Sequence, residues 1–188
     1  MNNLTQSHLI AAHSLDVQYL AEHDIPLALG LISSVKSSGS LMQPYHLKDR
    51  DAEELTRIAQ DGYPLLGIKN HAGQLVSFAT VSPLNGDTQN LIIRSICTHP
   101  DYQNRGCSGK ILTAALQWLA LNDIPVVRAK VACDNMASYT LFSKTGFIAG
   151  DVQWDADNGY HYYMMEKKHH SPSNFNYQPY PLKTLLLT

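Results

Sequence analysis

The pattern of apolar and polar residues predicts two helices early in the chain. Apolar side chains recur at helical spacing over residues 27–35, after Asp24 as a cap and Pro26 as an early helix residue. A second helix is predicted to begin near Asp51 and to end at Gly62. The folded part of the chain therefore opens with two helices after one short strand.

Beyond the second helix the pattern changes to strands that are separated by turns and by two further helices. The turn residues at 70–73 and the Asn158-Gly159 pair predict β-hairpins. Strands are expected at residues 17–20, 65–69, 75–81, 91–98, 126–132, 147–154 and 160–167, and helices at residues 108–121 and 136–144. The order β-α-α-β-β-β-α-β-α-β-β predicts an α/β (α+β) domain with helices on the faces of a mixed sheet.

Length and composition bear on three questions: whether the chain folds as one domain, whether it binds nucleic acid and whether it enters a membrane. With 188 residues, 44% of them apolar, the chain is long enough to fold as one domain without disulfides or a metal. Its 14 basic and 16 acidic residues give a net charge of −2, which does not favour nonspecific nucleic-acid binding. No apolar run reaches the roughly 18 residues of a membrane helix, and the start of the chain lacks a signal-peptide pattern. We expect a protein that binds neither nucleic acid nor membrane.

The three cysteines, Cys97, Cys107 and Cys133, are odd in number and widely spaced. No Cys-x-x-Cys pair occurs, so neither a zinc ribbon nor a dithiol redox motif is supported. Free thiols are typical of the reducing cytosol, and we expect a cytoplasmic protein. Cys97 and Cys107 are interpreted as small buried residues rather than as nucleophiles.

Residues 169–188 differ in composition from the rest of the chain, with several prolines and aromatic residues and no periodic pattern. We therefore expect a domain at residues 1–168 followed by a C-terminal tail. If ordered, such a tail packs either on its own domain or on a second subunit, which makes a homodimer one expectation.

No metal site is predicted. His169 and His170 are adjacent and have no further ligand near them in the sequence. Asp155, Asp157 and Glu166 have the spacing of a calcium loop, but a glycine is missing where that loop requires one. We interpret this segment as a hairpin.

The most informative segment follows the strand predicted at residues 91–98. Residues 103–108 read Gln-Asn-Arg-Gly-Cys-Ser, and a helix is predicted to begin at the last of them. Small residues let the backbone approach a ligand closely, and amides at a helix start have no partner within the helix. The loop therefore predicts a phosphate or pyrophosphate site, although it matches neither the P-loop nor the Rossmann pattern. A simple helix-entry turn is the alternative.

This loop resembles the coenzyme A loop of the GNAT superfamily of N-acetyltransferases, Q/R-x-x-G-x-G/A, with Ser108 in place of the last small residue. The sequence Thr-His-Pro-Asp-Tyr before it is similar to the end of the family's preceding strand. Residues 135–147 resemble the second family motif, N-x-x-A-x-x-L-Y-x-x-x-G-F, with Ser138 and Phe142 in place of Ala and Tyr. The chain is identified as a member of this superfamily over about residues 16–168.

The resemblance implies a mostly antiparallel sheet in which two parallel strands, at residues 91–98 and 126–132, splay apart to hold acetyl-CoA as the co-substrate. The implied reaction is direct attack of a primary amine on the thioester, with the amide of Cys97 or Thr98 stabilising the oxyanion. The residues implied to bind the cofactor are Ile96, Cys97, Thr98, Gln103, Asn104, Arg105, Gly106, Cys107, Ser108, Gly109, Asn135 and Phe142.

The acid and the base of this reaction stay unassigned in the sequence. Residues 90–97 contain no carboxylate where many family members carry a glutamate base, and Phe142 stands where the usual acid is a tyrosine. His46, His161 or a chain of waters are the candidate bases. Tyr139 is the tyrosine nearest to Phe142 in the sequence, one helical turn before it.

The resemblance places the acceptor pocket between the loop at residues 37–48 and the hairpin at residues 154–163. Its acidic and aromatic side chains suit a cationic amine. These candidate residues are Met42, Gln43, Tyr45, His46, Trp154, Asp155, Asp157 and Tyr160. A small amine, an amino acid and a protein N-terminus all fit, so we expect a small-molecule amine or a peptide as the acceptor.

The sequence leaves three functions open. The first is an acetyl-CoA-dependent N-acyltransferase that acts on a primary amine. The missing strand glutamate and Phe142 favour instead a non-catalytic sensor or structural protein that binds acyl-CoA. The third, an oligomeric protein with an empty cleft, rests on Ser108 and the tail.

Overall fold

The computed structural model describes residues 15–39, 43 and 46–168, so the predicted tail at residues 169–188 lies outside the described residues. The helices are α1 (Ile25–Ser37), α2 (Ala52–Gln60), α3 (Cys107–Leu121) and α4 (Met136–Lys144). The strands are β1 (Val17–Tyr19), β2 (Leu65–Lys69), β3 (Leu75–Leu84), β4 (Asp87–Thr98), β5 (Val126–Ala132), β6 (Ile148–Asp155) and β7 (Tyr160–Lys168). The predicted order of elements is confirmed.

Within the described residues, the strands form one seven-stranded sheet in the order β1-β2-β3-β4-β5-β7-β6. Every neighbouring pair is antiparallel except β4 and β5, which are parallel. The parallel pairing covers only residues 90–93 of β4 and residues 126–129 of β5. The two strands therefore splay apart toward their C-terminal ends, which confirms the predicted splayed pair.

A β-bulge in β4 lies where this separation begins. On β3, Phe78 and Thr80 are two residues apart, whereas their partners on β4, Cys97 and Arg94, are three residues apart. Between these partners, Ser95 has a φ of 55°, in the left-handed region. Because a bulge bends its strand, it turns the end of β4 away from β5.

Helices cover both faces of the sheet, as predicted. On one face, α3 and α4 contribute Ile111 and Phe142 to the core. On the other face, Leu31 of α1 and Leu55 of α2 pack with Phe78 of β3. Burying a leucine or phenylalanine side chain of this kind contributes about 1.5–3 kcal/mol relative to its exposure. Side chains of the two splayed strands are buried in these two cores.

Two details differ from the sequence prediction. β4 begins at Asp87 rather than at residue 91, because its first residues are polar and largely exposed and so show no apolar alternation. Asp24 precedes α1 as predicted, but its side chain does not cap the helix. Its carboxylate instead accepts hydrogen bonds from Lys69 Nζ at 2.7 Å and from the amide of Ala21 at 3.2 Å.

Candidate active site

The outer edge of β4 presents peptide groups to the space between the splayed strands. The amide of His99 donates to the carbonyl of Val76 at 2.8 Å, and Cys97 lies in register with β3. Because peptide groups alternate along a strand, Ile96 and Thr98 direct theirs away from β3, toward β5. Of the three backbone positions predicted to meet the pantetheine arm, Ile96 and Thr98 thus face the cleft, whereas Cys97 faces β3.

The cysteine side chains near this edge are buried. Cys97 belongs to the core beneath α1 and α2, and burial raises the pKa of its thiol to about 12. A thiol with such a pKa carries almost no thiolate at neutral pH and is a poor nucleophile. Cys107 packs in the core on the other face of the sheet. The interpretation of both residues as small buried side chains is confirmed.

The loop before α3 has the geometry of an anion site. Asn104 and Gly106 have φ values of 59° and 78°, in the left-handed region. A Cβ atom at Gly106 or at Gly109 would meet no atom within 4 Å, so open space lies at the start of the helix. The amide of Lys110 donates to the carbonyl of Gly106 at 3.0 Å, and the amides from Cys107 to Gly109 precede it. Those three amides have no acceptor within the helix.

Ser108, which departs from the family pattern, belongs to a chain of hydroxyl groups. Its Oγ lies 2.8 Å from Thr98 Oγ1, which lies 2.7 Å from Ser77 Oγ. The Ser77 hydroxyl donates to the carbonyl of Cys97 at 2.9 Å. Gln103 Nε2 donates to the carbonyl of Thr98 at 3.4 Å. These contacts tie the loop and the start of α3 to the end of β4.

Three further residues were predicted to bind the cofactor, one in this loop and two at or in α4. Arg105 is exposed, and its guanidinium carbon lies 5.1 Å from the centroid of the Tyr102 ring. Asn135 caps α4 by accepting a hydrogen bond from the amide of Ser138 at 3.1 Å. Asn135 and Phe142 both line the cleft, although Phe142 is only 2% exposed.

The splay opens into a cleft of about 590 Å³. Its walls come from β4, β5, the segment before α2, the start of α4 and the turn between β6 and β7. The polar residues that line it are Lys36, His46, Lys48, Asp49, Arg50, Arg94, Ser95, Lys130, Asn135, Ser138, Asp155, Asn158 and Tyr160.

This lining contains only part of the predicted acceptor pocket. His46, Asp155 and Tyr160 line the cleft, whereas Trp154 and Asp157 of the hairpin do not. Gln43 is exposed and does not line it either, while Met42 and Tyr45 lie outside the described residues.

Asp155 and Tyr160, which were expected to attract a cationic amine, already interact with a lysine of the protein. Lys130 pairs with the buried carboxylate of Asp155, and its Nζ lies 5.4 Å from the centroid of Tyr160 and 4.0 Å from that of Tyr162. The hydrogen bond from Lys130, with that from Asn158, lowers the pKa of Asp155 to about 2. Lys130 therefore occupies the groups that were predicted to attract a cationic acceptor.

The basic character of the cleft is not evident from the apolar pattern of the sequence. Lys36 pairs with Asp49 at 2.6 Å. Arg50 pairs with Glu54 at 2.6 Å and donates through Nε to Ser95 Oγ at 2.8 Å. Arg94 also lines the cleft, and in the sequence it interrupts the apolar run of β4. That interruption is the sign in the sequence that this strand carries a charged side chain on the cleft.

The candidate bases differ in whether they line the cleft. The side chain of His46 is only 4% exposed, and its Nε2 lies 2.8 Å from Asp134 Oδ1, which belongs to the turn between β5 and α4. His161 is exposed, packs against Trp154 with a ring-centroid distance of 4.8 Å, and does not line the cleft. Tyr139 also lies outside the cleft lining. Of these candidates, only His46 borders the cleft.

Among the described residues, no group of three or more His, Cys, Asp or Glu side chains is placed to hold a metal ion. In the described part of the chain, no helix is long and apolar enough to cross a bilayer. The predicted hairpin at residues 155–160 is confirmed, and its Asp155 carboxylate accepts hydrogen bonds from Asn158.

Sequence comparison decides the family. The model of the acetyltransferase (GNAT) family matches residues 35–147, from α1 to the residue before β6. The chain belongs to the GNAT acetyltransferase family. The matched segment contains the splayed strands, the loop before α3 and the second motif that were identified in the sequence. Comparison with curated proteins gives no match.

Solved structures share the GNAT fold at low sequence identity. A ribosomal-protein-alanine N-acetyltransferase from Brucella melitensis is 18% identical, with a TM-score of 0.67 over 81% of this chain and 99% of that protein. An N-acetyltransferase from Staphylococcus aureus is 14% identical, with a TM-score of 0.65 over 81% and 96%. A GNAT phosphinothricin acetyltransferase from Sinorhizobium meliloti, solved in complex with acetyl-CoA, is 13% identical, with a TM-score of 0.66 over 81% and 86%. At these identities the similarity establishes the GNAT fold of the chain.

Proposed function

We propose that this GNAT protein transfers an acetyl group from acetyl-CoA to a primary amine by direct attack of the amine on the thioester. The observation that carries the proposal is the splay between β4 and β5. It opens a cleft that Ile96 lines, and β4 continues from there through Thr98 to the loop before α3.

The residues of the loop and of β4 fit acetyl-CoA. The amides from Asn104 to Gly109 would hold the pyrophosphate, because the open space at Gly106 lets a ligand approach the backbone. Arg105 adds positive charge beside it. The pantetheine arm would pair with the peptide groups of Ile96 and Thr98 that are directed away from β3, as an added strand pairs with a sheet edge. Asn135 and Phe142 lie on the opposite wall of the cleft.

Acetyl-CoA supplies the activated acetyl group when it is bound. The neutral amine forms a bond to the thioester carbon while the bond to sulfur breaks, and the proton lost by the amine balances the thiolate that leaves as a thiol. Of the two amides predicted to stabilise the oxyanion, that of Thr98 is directed into the cleft. No covalent bond to the enzyme forms, which agrees with the burial of Cys97.

We assign the role of general base to His46, which lines the cleft and contacts Asp134. A carboxylate beside a histidine orients the ring and stabilises its charged form. Because Phe142 replaces the usual tyrosine and supplies no proton, the leaving thiolate is protonated by solvent. A thiol has a reference pKa of about 8.5, so it can leave without an acid.

Calorimetry with acetyl-CoA, followed by thiol release over a panel of amines, tests this proposal. Binding together with release by at least one amine supports the transfer reaction. Absence of binding at millimolar acetyl-CoA would overturn it. The matched control is the Gly106→Trp variant, in which the new side chain fills the open space at the start of α3.

A second candidate is a non-catalytic protein that binds acyl-CoA as a sensor or structural ligand. It is favoured by the absence of a carboxylate on β4 between Asn90 and Thr98, all of which is described. Phe142 in place of a tyrosine also favours it. Binding of acetyl-CoA without thiol release over a broad panel of amines would support this candidate, and release with any amine rejects it.

The proposal also covers the domain bounds, the compartment and the C-terminal tail. We expect residues 1–168 to act as the acetyltransferase domain in the cytoplasm, and residues 169–188 to contact that domain or a second copy. Sedimentation of the chain truncated after residue 168 tests the tail. A fall in mass beyond that of the removed residues supports a homodimer, and an unchanged oligomeric state argues against it.

A further inference from the structure

Arg94 is a half-buried cationic group that forms no ion pair with a described carboxylate. It lies on β4 at the bulge and lines the cleft. Its Nε atom is buried and has no hydrogen-bond partner among the described residues. A charge that is partly removed from water is costly when unpaired, so guanidinium groups in such positions are normally matched by an anion.

The protein itself supplies no side-chain carboxylate for Arg94. All 16 acidic residues of the chain fall within the described ranges 15–39 and 46–168, and none of them forms an ion pair with Arg94. Glu54 is the nearby carboxylate, but it pairs with Arg50. Burial lowers the pKa of Arg94 first, the neighbouring Arg50 lowers it further, and Glu54 opposes both effects. Two guanidinium groups therefore lie near one carboxylate, which pairs with Arg50 and not with Arg94.

The other cations of the cleft differ from Arg94. Lys36 and Lys130 pair with Asp49 and Asp155, respectively. Lys48 is exposed to solvent, which screens its charge. Within the described residues, Arg94 is the half-buried cation of this cleft that lacks an ion pair.

We propose that the acceptor amine carries a carboxylate that binds Arg94, so that the substrate class is a free amino acid or a similarly small amino-carboxylate. The inference rests on the acetyltransferase function proposed above. A guanidinium binds a carboxylate through two parallel hydrogen bonds, and Arg94 lines the cleft without an ion pair to a described carboxylate.

The position of Arg94 suits a small substrate. It lies four residues before Thr98, whose amide would stabilise the oxyanion, and β4 bulges between the two. At about 3.3 Å per residue, four strand positions span at most about 13 Å, and the long arginine side chain can bridge part of that distance. One small molecule can therefore place its amine near the thioester while its carboxylate contacts the guanidinium.

The test compares amines that differ only in the anionic group. Leucine, leucinamide and isoamylamine form one such set, and phenylalanine, phenylalaninamide and phenethylamine form another. For the wild type we expect kcat/KM for the amino acid to exceed that for the amide by about 10- to 100-fold in at least one set, as for a hydrogen bond to a charged group. The Arg94→Gln variant should lose this ratio while it keeps acetyl-CoA affinity and turnover of the uncharged amides.

Arg128→Gln is the matched control, because Arg128 on β5 pairs with Glu166 and Asn90 and does not line the cleft. It should keep the preference for amino acids. Thermal unfolding shows whether either variant is folded, and Arg94→Lys tests whether charge alone suffices.

The outcomes separate the two proposals. Failure to bind acetyl-CoA, or to acetylate any amine, overturns the proposed function. Acetylation of amines without preference for a carboxylate, or a preference that survives in Arg94→Gln, overturns the substrate class and leaves the acetyltransferase function in place. A stronger preference for the aminophosphonate analogues than for the amino acids would show an anion site but reject the carboxylate.

Discussion

The hydroxyl of Ser108 at the start of α3 lies 2.8 Å from the hydroxyl of Thr98 at the end of β4. Thr98 in turn contacts Ser77 on β3 at 2.7 Å. The serine that replaces the family's usual glycine or alanine is thus bonded to the strand beneath the loop. A serine at this position is therefore compatible with an open cofactor loop.

Ser108→Ala is expected to lower stability without weakening acetyl-CoA binding. Loss of the hydrogen bond to Thr98 should cost about 0.5–1.5 kcal/mol in the free energy of unfolding. Urea unfolding and calorimetry measure the two effects. Thr113→Ala is the control, because that exposed hydroxyl bonds only to the carbonyl of Gly109 within its own helix. A tenfold change in acetyl-CoA affinity for Ser108→Ala would show that the hydroxyl contacts the ligand.

Gly106→Trp and Gly86→Trp should be equally strained but functionally different. The two glycines have φ values of 78° and 81°, and a Cβ atom meets nothing within 4 Å at either one. Each substitution should cost about 1–2 kcal/mol in stability because of the left-handed backbone. Only Gly106 lies at the start of α3, whereas Gly86 lies in the turn between β3 and β4. Calorimetry should show loss of acetyl-CoA binding for Gly106→Trp alone, and retained binding would place the cofactor elsewhere.

Phe142→Tyr is expected to raise kcat and to change stability by less than about 1 kcal/mol, because the new hydroxyl can be solvated in the cleft that Phe142 lines. Phe147 is its matched control. Both rings are buried in the same core and are in contact at a centroid distance of 5.0 Å, but Phe142 lines the cleft and Phe147 does not. Phe147→Tyr should therefore lose about 1–3 kcal/mol, as expected for a buried hydroxyl without a partner. A similar loss for Phe142→Tyr would contradict the orientation inferred for that ring.

His46→Gln should reduce kcat/KM by about 100-fold near neutral pH, the scale of general-base catalysis. The loss should fall on kcat and leave acetyl-CoA affinity unchanged in calorimetry, whereas a distorted cleft would lower both. His161→Gln, on the exposed hairpin, should leave both kcat and the affinity unchanged. An unaltered kcat in His46→Gln would leave water as the base.

Asp155 links stability to acidic pH. Its pKa is lowered from 3.8 to about 2 by the hydrogen bond from Lys130 and the contacts of Asn158, so the native state favours the charged carboxylate. The stabilisation is therefore fully present above about pH 4 and is lost as the pH falls through 2. Asp155→Asn should destabilise the protein at pH 6, and this difference from the wild type should shrink toward pH 2. Urea unfolding at several pH values checks this, with Asp157→Asn in the exposed turn as the control.

The sequence determined the order of elements and the position of the cofactor loop, because both depend on local features. Apolar spacing and turn residues placed the helices and hairpins within a few residues of their observed ends. The left-handed backbone at Gly106 and Gly146 occurs at glycines that the two motifs contain. Such conformations are imposed by residues close together in the chain, so one sequence suffices to predict them.

Tertiary structure alone decided the character of the cleft, because its charges are matched by residues far apart in the chain. His46 meets Asp134 across 88 residues, and Lys130 meets Asp155 across 25. The bulge at Ser95 and the splay of β4 from β5 follow from strand register, which no local pattern specifies. Folding paired the acid that the sequence offered to a cationic substrate with Lys130, and left the half-buried Arg94 without an ion pair among the described residues. Which charges are paired depends on long-range contacts, and the preference of the site for an acceptor depends on that pairing.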